Sequence, residues 1–391
     1  MIFFLFDGRS IPFSSTADHV GILRSTNGNK PTLLARISAH KRALAALLHS
    51  GLALDHKANP VFSLKLHQLY CIPVLLSGLS AVVLSEADTD IIDKHYCETL
   101  RKLLRLLPKT PRSVVYFLAG SLPGRALLHQ RQLMLFSMIT RLENDILKTH
   151  AVSIFEFGVI SKKSWFHHIR TLCIMYGLPY PLDLLVSPMK KEVFKNLVKK
   201  KIMSYWEVRL RSEASELSSL SFFNPSRMSI SRPHPLFRTA GSSPSKVSMA
   251  SIQAIMLSGR YRTESLLSHW TRNSEGFCKL SMECSGVKED IRHILHYCPA
   301  LSNVRANLID FTRKYCSNLD PTISSILLEL CDPSHTLFCE FILDCSTIPR
   351  VITLVQSLGE GALDPLFDVS RIWIFVLHRE RLKRLHRWKH S

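Results

Sequence analysis

A chain of 391 residues, 46% hydrophobic and 21% charged, has room for two or three domains and enough apolar content to bury real cores, which excludes a disordered chain. Fifty Lys and Arg against thirty-one Asp and Glu leave a net charge of +19, which points toward polyanions, either nucleic acid or an anionic membrane surface. No apolar run approaches the roughly 20 residues needed to span a bilayer, so the expected partners are RNA and/or DNA and not a membrane.

Met1 to Phe6 is apolar, but no basic region precedes it, and Asp7, Gly8 and Arg9 break it. It reads as a strand and not as a signal peptide. The expected location is therefore intracellular, nucleus or cytoplasm, and the ten cysteines are expected as reduced thiols or metal ligands. Phe3–Phe6, a turn at Asp7-Gly8 and Ser10–Phe13 predict a β-hairpin, with Ala17–Leu23 as a short third strand. Apolar, uncapped strands at a chain start look like the edge of a larger sheet, and they are expected to be poorly packed or to form a detached hairpin.

Helices dominate from there. Leu34, Ile37, Leu44, Leu47 and Leu48 recur at helical spacing after Pro31, and Gly51 ends that helix. A second helix is expected from about Asn59 to Leu84, kinked at Pro73. A third covers Asp88–Leu107, capped near Ser85, with Glu86 in its first turn and Arg101, Lys102 and Arg105 in its last. Thr110–Leu118 and Leu122–Asn144 complete a helical block, followed by Lys162–Tyr176 and Lys190–Leu217. Ser218–Ser245 is rich in Ser and Pro and reads as a linker. Further helices are expected at Met249–Leu257, Leu301–Lys314, Thr322–Leu330, Thr336–Asp344, Val351–Leu358 and Pro365–Lys389. The division is then 1–28 residual strands, 29–150 helical bundle, 151–217 connecting helices, 218–245 linker and 246–391 C-terminal domain. The fold class is mainly α, with a small β-hairpin in front.

One stretch carries chemistry. Cys278, Cys284, His293 and Cys298 read as C-x5-C-x8-H-x4-C. Zinc takes four soft or borderline donors in a tetrahedron, and a structural site closes all four positions with protein. Ser285-Gly286 lets the chain turn, and Glu289-Asp290 opens the helix that carries His293. Pro299 stops continuation beyond Cys298. The first gap is wider than usual, and buried free thiols are the competing explanation. His296 is a rival ligand, but it stands only two residues from Cys298. A structural Zn2+ is expected, and the acids at Glu289 and Asp290 are explained by the helix start.

At these residues the sequence resembles the C-terminal zinc-binding tail of LINE-type (non-LTR) retrotransposon reverse transcriptases. The resemblance rests on Arg260-Tyr261-Arg262-Thr263, Trp270, Cys278…Cys284, His293-Ile294-Leu295, Cys298-Pro299 and Arg305. The family's usual first pair is C-x2-C, so the wider gap here leaves Cys284 the less secure ligand. Upstream, Asp18-His19-Val20-Gly21-Ile22 is similar to the strand and glycine turn that closes the palm. Leu69-Tyr70, Pro73 and Gly78 resemble the helix after it. Leu106-Leu107-Pro108, Val115-Tyr116, Gly120-Ser121-Leu122-Pro123 and Arg131-Gln132-Leu133 resemble the thumb, and Ser164-Trp165-Phe166 and Tyr176-Gly177-Leu178-Pro179 the connecting helices. The resemblance implies palm strands at 1–28, a thumb-like bundle at 29–150 and a zinc-knuckle tail at 246–391.

The family's polymerase centre needs an Asp-Asp pair for two metals, and no such pair occurs here. The nuclease of related elements uses a Pro-Asp step, which is also absent. No phosphate-cradling glycine loop or nucleophile elbow appears either. The expectation is a nucleic-acid-binding C-terminal fragment that is not an enzyme and has no small-molecule substrate. Lys199, Lys200, Lys201, Arg260, Arg262, Arg379, Arg381, Lys383, Arg384 and Arg387 are the candidates for phosphate contacts, with Tyr261 and Trp388 for base stacking. The alternatives are a zinc-stabilised protein-interaction module and a transposon-derived remnant without function.

Overall fold

The computed structural model describes residues 5–6, 9–10, 14–19, 22–26, 28–49, 58–158, 161, 164–272 and 274–390. The fold is mainly helical, about 70% helix with eighteen α-helices among the described residues. Its strands form two separate antiparallel pairs, Leu5–Phe6 with Arg9–Ser10 and Thr16–His19 with Ile22–Ser25. The single third strand expected over Ala17–Leu23 is instead the two arms of a second hairpin, and its turn at Val20-Gly21 lies outside the described residues.

That second hairpin is not detached. Thr32, in the first turn of the Lys30–His49 helix, donates its hydroxyl to the Leu23 carbonyl. Ile22 packs over Gly78, where an added Cβ would fall 2.6 Å from the Ile22 side chain. Backbone groups at the hairpin's inner edge thus find a partner instead of remaining open to further pairing.

The chain divides into two compact units. One comprises Met1–Ser50, Leu66–Tyr96 and Leu122–Trp206; the other comprises Gly51–Lys65, Cys97–Ser121 and Glu207–Ser391. The units are therefore not the consecutive segments read from composition.

In the first unit, Pro73 shapes the backbone as its chemistry requires. It has no N–H and crowds the carbonyl four residues back, so the α-helical ladder cannot continue through it. The chain responds with one π turn, His67–Cys71, closed by the Ile72 N–H on the His67 carbonyl, before α-helix resumes at Ile72–Leu76. Downstream, Ser85 caps the Glu86–Leu103 helix, its Oγ accepting from the Asp88 N–H at 3.2 Å. Asp93 on that helix accepts from the Arg125 backbone N–H at 2.8 Å and pairs with its guanidinium, which also reaches Asp90 at 2.7 Å and Glu86 at 3.0 Å. Other polar groups of this core are paired as well. Gln132 donates to the Val82 carbonyl, and Trp165 to that of Ser80. The Tyr176 hydroxyl meets His129 Nδ1 at 2.7 Å and accepts from Trp206. Burial, with His168 and Arg125 adding to it, holds His129 down to about 3, so it is neutral at physiological pH. Two helices here, Asp145–Gly158 and Pro181–Val186, were not anticipated from periodicity.

The second unit is organised around the long Leu363–His390 helix, which packs on Pro244–Leu257, Ser302–Cys316 and Phe338–Asp344. Trp373 is fully buried at the centre, its indole N–H donating to Thr312 Oγ1 at 3.0 Å. Arg371 is buried as well, donating to the Leu236 carbonyl and paired with Asp368.

The Ser/Pro stretch expected as a linker is a packed part of this unit. Leu220, Phe223, Met228, Ile230, Leu236 and Phe237 are all buried. The His234 N–H donates to the Leu118 carbonyl, Arg211 donates to the Met228 carbonyl, and the Phe223 ring lies 6.0 Å from that of Phe117. Apolar residues at irregular intervals serve an extended strap as well as a regular element, which is why no period announced them. The strap crosses Gly120 so closely that an added Cβ would stand 1.9 Å from the Arg232 carbonyl carbon, and Gly120 itself has φ +60°.

Gly120→Ala is expected to cost about 2–4 kcal/mol, the left-handed backbone term plus the forced displacement of the strap. Gly241→Ala has a similar φ, +57°, but nothing within 4 Å, and should cost only about 1 kcal/mol. Urea unfolding of the full chain measures both, and equal losses would contradict the close crossing.

Candidate metal centre

Cys278, Cys284, His293 and Cys298 are all buried, and their donor atoms all lie within 4.8 Å of one another. Cys278 stands in a short antiparallel bridge, Phe277 opposite Lys288, with its N–H donating to the Val287 carbonyl at 2.8 Å. The wide first gap is taken up by a 3-10 turn at Met282–Cys284, started by Ser281, whose hydroxyl accepts from the Glu283 N–H. Gly286, at φ +78°, then reverses the chain back toward Lys288. Five intervening residues therefore return Cys284 to Cys278 as effectively as a tighter knuckle would.

The H-x4-C half is brought together by backbone geometry. Five residues along an α-helix rotate a side chain by about 140° away from its start, which would part His293 from Cys298. The chain instead forms a π turn over His293–Tyr297, closed by the Cys298 N–H on the His293 carbonyl at 2.8 Å. This ring places residues five apart on one face. Asp290 caps the preceding turn, accepting from the His293 N–H at 2.7 Å. His296, the rival ligand, faces elsewhere and stacks on Tyr297.

Three observations test whether these residues suit a metal. The Cys278 and Cys298 sulfurs are 4.0 Å apart, and those of Cys284 and Cys298 are 3.8 Å apart. That is too far for a disulfide, and it matches the roughly 3.8 Å between two sulfurs held about 2.3 Å from one tetrahedral ion. His293 Nε2 is buried with no partner at hydrogen-bond geometry, and the ring's polar neighbour is the Cys278 thiol, itself a candidate ligand. The knuckle also has almost no core of its own: from Phe277 to Asp290 the buried side chains are Cys278, Leu280, Cys284 and Glu289. These residues could hold a metal ion.

The donors crowd one another electrostatically. The neighbouring Cys298 sulfur, and then burial, push the Cys278 thiol up to about 12, and burial with Cys278 raises Cys284. A cation at the centre reverses that order by taking thiolates in place of thiols and releasing their protons. Four protein donors leave no open position, so the arrangement suits a closed structural site and not a catalytic one.

The surrounding contacts were not visible in the sequence. Glu289 is not a surface acid of a helix start but fully buried. It accepts from Arg381 Nε at 3.0 Å and Nη2 at 2.7 Å, and from the Glu264 N–H at 2.7 Å. Arg381 also donates to the Arg262 carbonyl and lies over the Tyr261 ring. Arg305 is buried and donates to the Cys298 carbonyl at 2.6 Å. Ninety-two residues separate Glu289 from Arg381, and no local pattern reports such a pair.

The basic candidates separate by exposure. Lys199, Lys200, Lys201, Arg262, Arg379 and Lys383 are exposed. Arg381 is 3% exposed and committed to Glu289, and Tyr261 is buried with its hydroxyl 2.8 Å from His378 Nδ1. Neither can meet a phosphate or a base, because both are part of the packing that holds the knuckle. Arg260 is half-buried over the Trp270 ring, and Arg384 is half-buried and paired with Glu380. The side chains of Arg387 and Trp388 lie outside the described residues. Among the described residues no helix is long and apolar enough to cross a membrane.

No family model matches the chain, and neither does a curated protein or a solved structure.

Removing the metal is expected to open the knuckle before the helical core. For a knuckle built on a metal, chelation or Cys284→Ser should lower hydrogen-exchange protection of the Cys278 and Glu289 amides by roughly 100-fold or more, because binding would supply most of the local folding energy. Helix amides around Trp373 should change far less. Unchanged protection at Cys278 and Glu289 would contradict a metal-built knuckle.

Proposed function

We propose that this chain binds nucleic acid through exposed cations and that its second unit is held by a structural Zn2+ at Cys278, Cys284, His293 and Cys298. The observation that carries the reading is the four-donor cluster, with sulfur spacings of 3.8 and 4.0 Å and an orphaned imidazole nitrogen. Three thiolates and one imidazole select Zn2+ over harder cations such as Mg2+ or Ca2+. The module resembles the zinc-binding tail of non-LTR retrotransposon reverse transcriptases in the order of its motifs. Its role would accordingly be to hold RNA or DNA, with no chemical step of its own.

Charge supports this reading. The net charge is +19, and six of the candidate cations stand in solvent. On the Leu363–His390 helix, Arg379 and Lys383 are one turn apart. They border an open groove of about 390 Å³ that is also lined by Val304, Phe375, Val376 and Glu380, whose carboxylate is paired with Arg384. A guanidinium 5.6 Å from the Phe375 ring beside a lysine suits a single strand, whose backbone needs cations and whose bases accept apolar contacts. Protein docking is the second reading. It is favoured by the apolar knuckle rim, where Met282 is 95% exposed and Phe277 and Val287 are also exposed.

Fluorescence anisotropy with a single-stranded RNA and a duplex DNA separates the two. Binding should weaken as salt rises, and each Gln substitution at Lys199, Lys200, Lys201, Arg262, Arg379 or Lys383 that touches a phosphate should reduce the log–log salt slope by about one. A folded, metal-loaded chain with no affinity at low salt would refute the nucleic-acid role and leave the docking one.

A further inference from the structure

The first unit contains a second constellation of soft donors, remote in sequence from the knuckle. His40 comes from the Lys30–His49 helix, and His67 and Cys71 from the two ends of the π turn. All three are buried, and their donor atoms lie within 4.8 Å of one another. His40 Nε2 faces His67 Nε2 at 2.9 Å, and His40 Nδ1 faces His95 Nε2 at 2.9 Å.

We propose that His40, His67 and Cys71 form a second metal site for one borderline-soft cation of the Zn2+ class, with His95 as the outer partner that orients His40. The donor set carries the assignment. Two imidazoles and a thiol at one point are good ligands for such an ion. The tautomers are consistent with ligation. A metal on His40 Nε2 requires the proton on Nδ1, and that N–H has His95 Nε2 as its acceptor, the outer contact that metal-bound histidines ordinarily make.

The backbone supports the same assignment. His67 and Cys71 are an H-x3-C pair on one helical face, held there by the π turn that Pro73 imposes. Both candidate centres thus take their histidine and a cysteine from a π turn or its edge. On binding, the His40–His67 hydrogen bond opens, the His67 proton moves from Nε2 to Nδ1, and Cys71 gives up its thiol proton to solvent and donates as thiolate. The imidazole nitrogens must part from 2.9 Å to about 3.3 Å to admit an ion about 2.0–2.1 Å from each, a shift of about half an ångström.

The competing account is a metal-free relay in which His67 donates to His40 and His40 to His95, leaving Cys71 as packing. The two accounts differ in metal count. Equilibrium dialysis of the full chain against Zn2+, followed by elemental analysis, should give two zinc per chain. The H67Q/C71S variant should hold one, and the C284S/C298S variant should also hold one, lost from the other site. Cobalt(II) substitution reads the same sites by thiolate-to-metal charge transfer. H67Q/C71S should lose about a quarter of that absorption, one thiolate of four, while C284S/C298S keeps a one-thiolate spectrum. One zinc per wild-type chain, with a cobalt spectrum unchanged in Cys71→Ser, would overturn the proposal, and that measurement needs no disruptive variant. One zinc that persists in C284S/C298S but vanishes in H67Q/C71S would instead sustain this site and refute the knuckle.

Discussion

Three sulfurs and an imidazole nitrogen converge in a segment that cannot hold itself together by apolar burial. Between Phe277 and Asp290, two cysteines, one leucine and one glutamate are the only buried side chains. A single leucine side chain stabilises by a few kcal/mol at most, far below the cost of ordering fourteen backbone residues at about 1–2 kcal/mol each. A bound cation supplies stabilisation of the required order. The rest of the site follows from this constraint: the 3-10 turn that shortens the wide first gap, the π turn that aligns positions five apart, and the orphaned nitrogen of His293.

The knuckle is tied into its unit by a buried charge pair as well as by packing. Glu289 and Arg381 form a two-bond ion pair that also satisfies a backbone N–H at Glu264 and a carbonyl at Arg262. A pair this deep is costly to desolvate and gains little net stability, but removing one partner strands the other and is strongly destabilising. Its consequence is registration. It joins the start of the His293 turn to the Leu363–His390 helix, whose same buried face carries Leu377 and Trp373 into the core one and two turns earlier. Tyr261 belongs to the same network, which is why a residue that reads as a stacking platform is enclosed.

The legible part of the sequence was the local part. Periodicity marked most helices, Pro73 marked the break, Ser85 marked a cap, and the spacing of Cys278, Cys284, His293 and Cys298 marked donors that the structure brings together. What escaped depends on partners distant along the chain. Glu289 looked like a helix-start acid because its guanidinium lies ninety-two residues away. The Ser/Pro strap looked like a linker because its buried Leu220, Phe223 and Ile230 follow no period. His40, His67 and Cys71 carried no signal, since two helical segments twenty-seven residues apart had to meet first. Exposure, which sorts Arg381 from Arg379 and Lys383, is likewise a property of the packed unit and not of a basic run.

The proposed centre is one ion held by three sulfurs and one nitrogen at the knuckle. Zinc-edge X-ray absorption fine structure on the H67Q/C71S chain, loaded with one equivalent of Zn2+, measures that ligand set directly. The structure predicts three sulfurs at about 2.3 Å and one nitrogen at about 2.0–2.1 Å. A first shell dominated by oxygen or nitrogen, or one with fewer than three sulfurs, would contradict it.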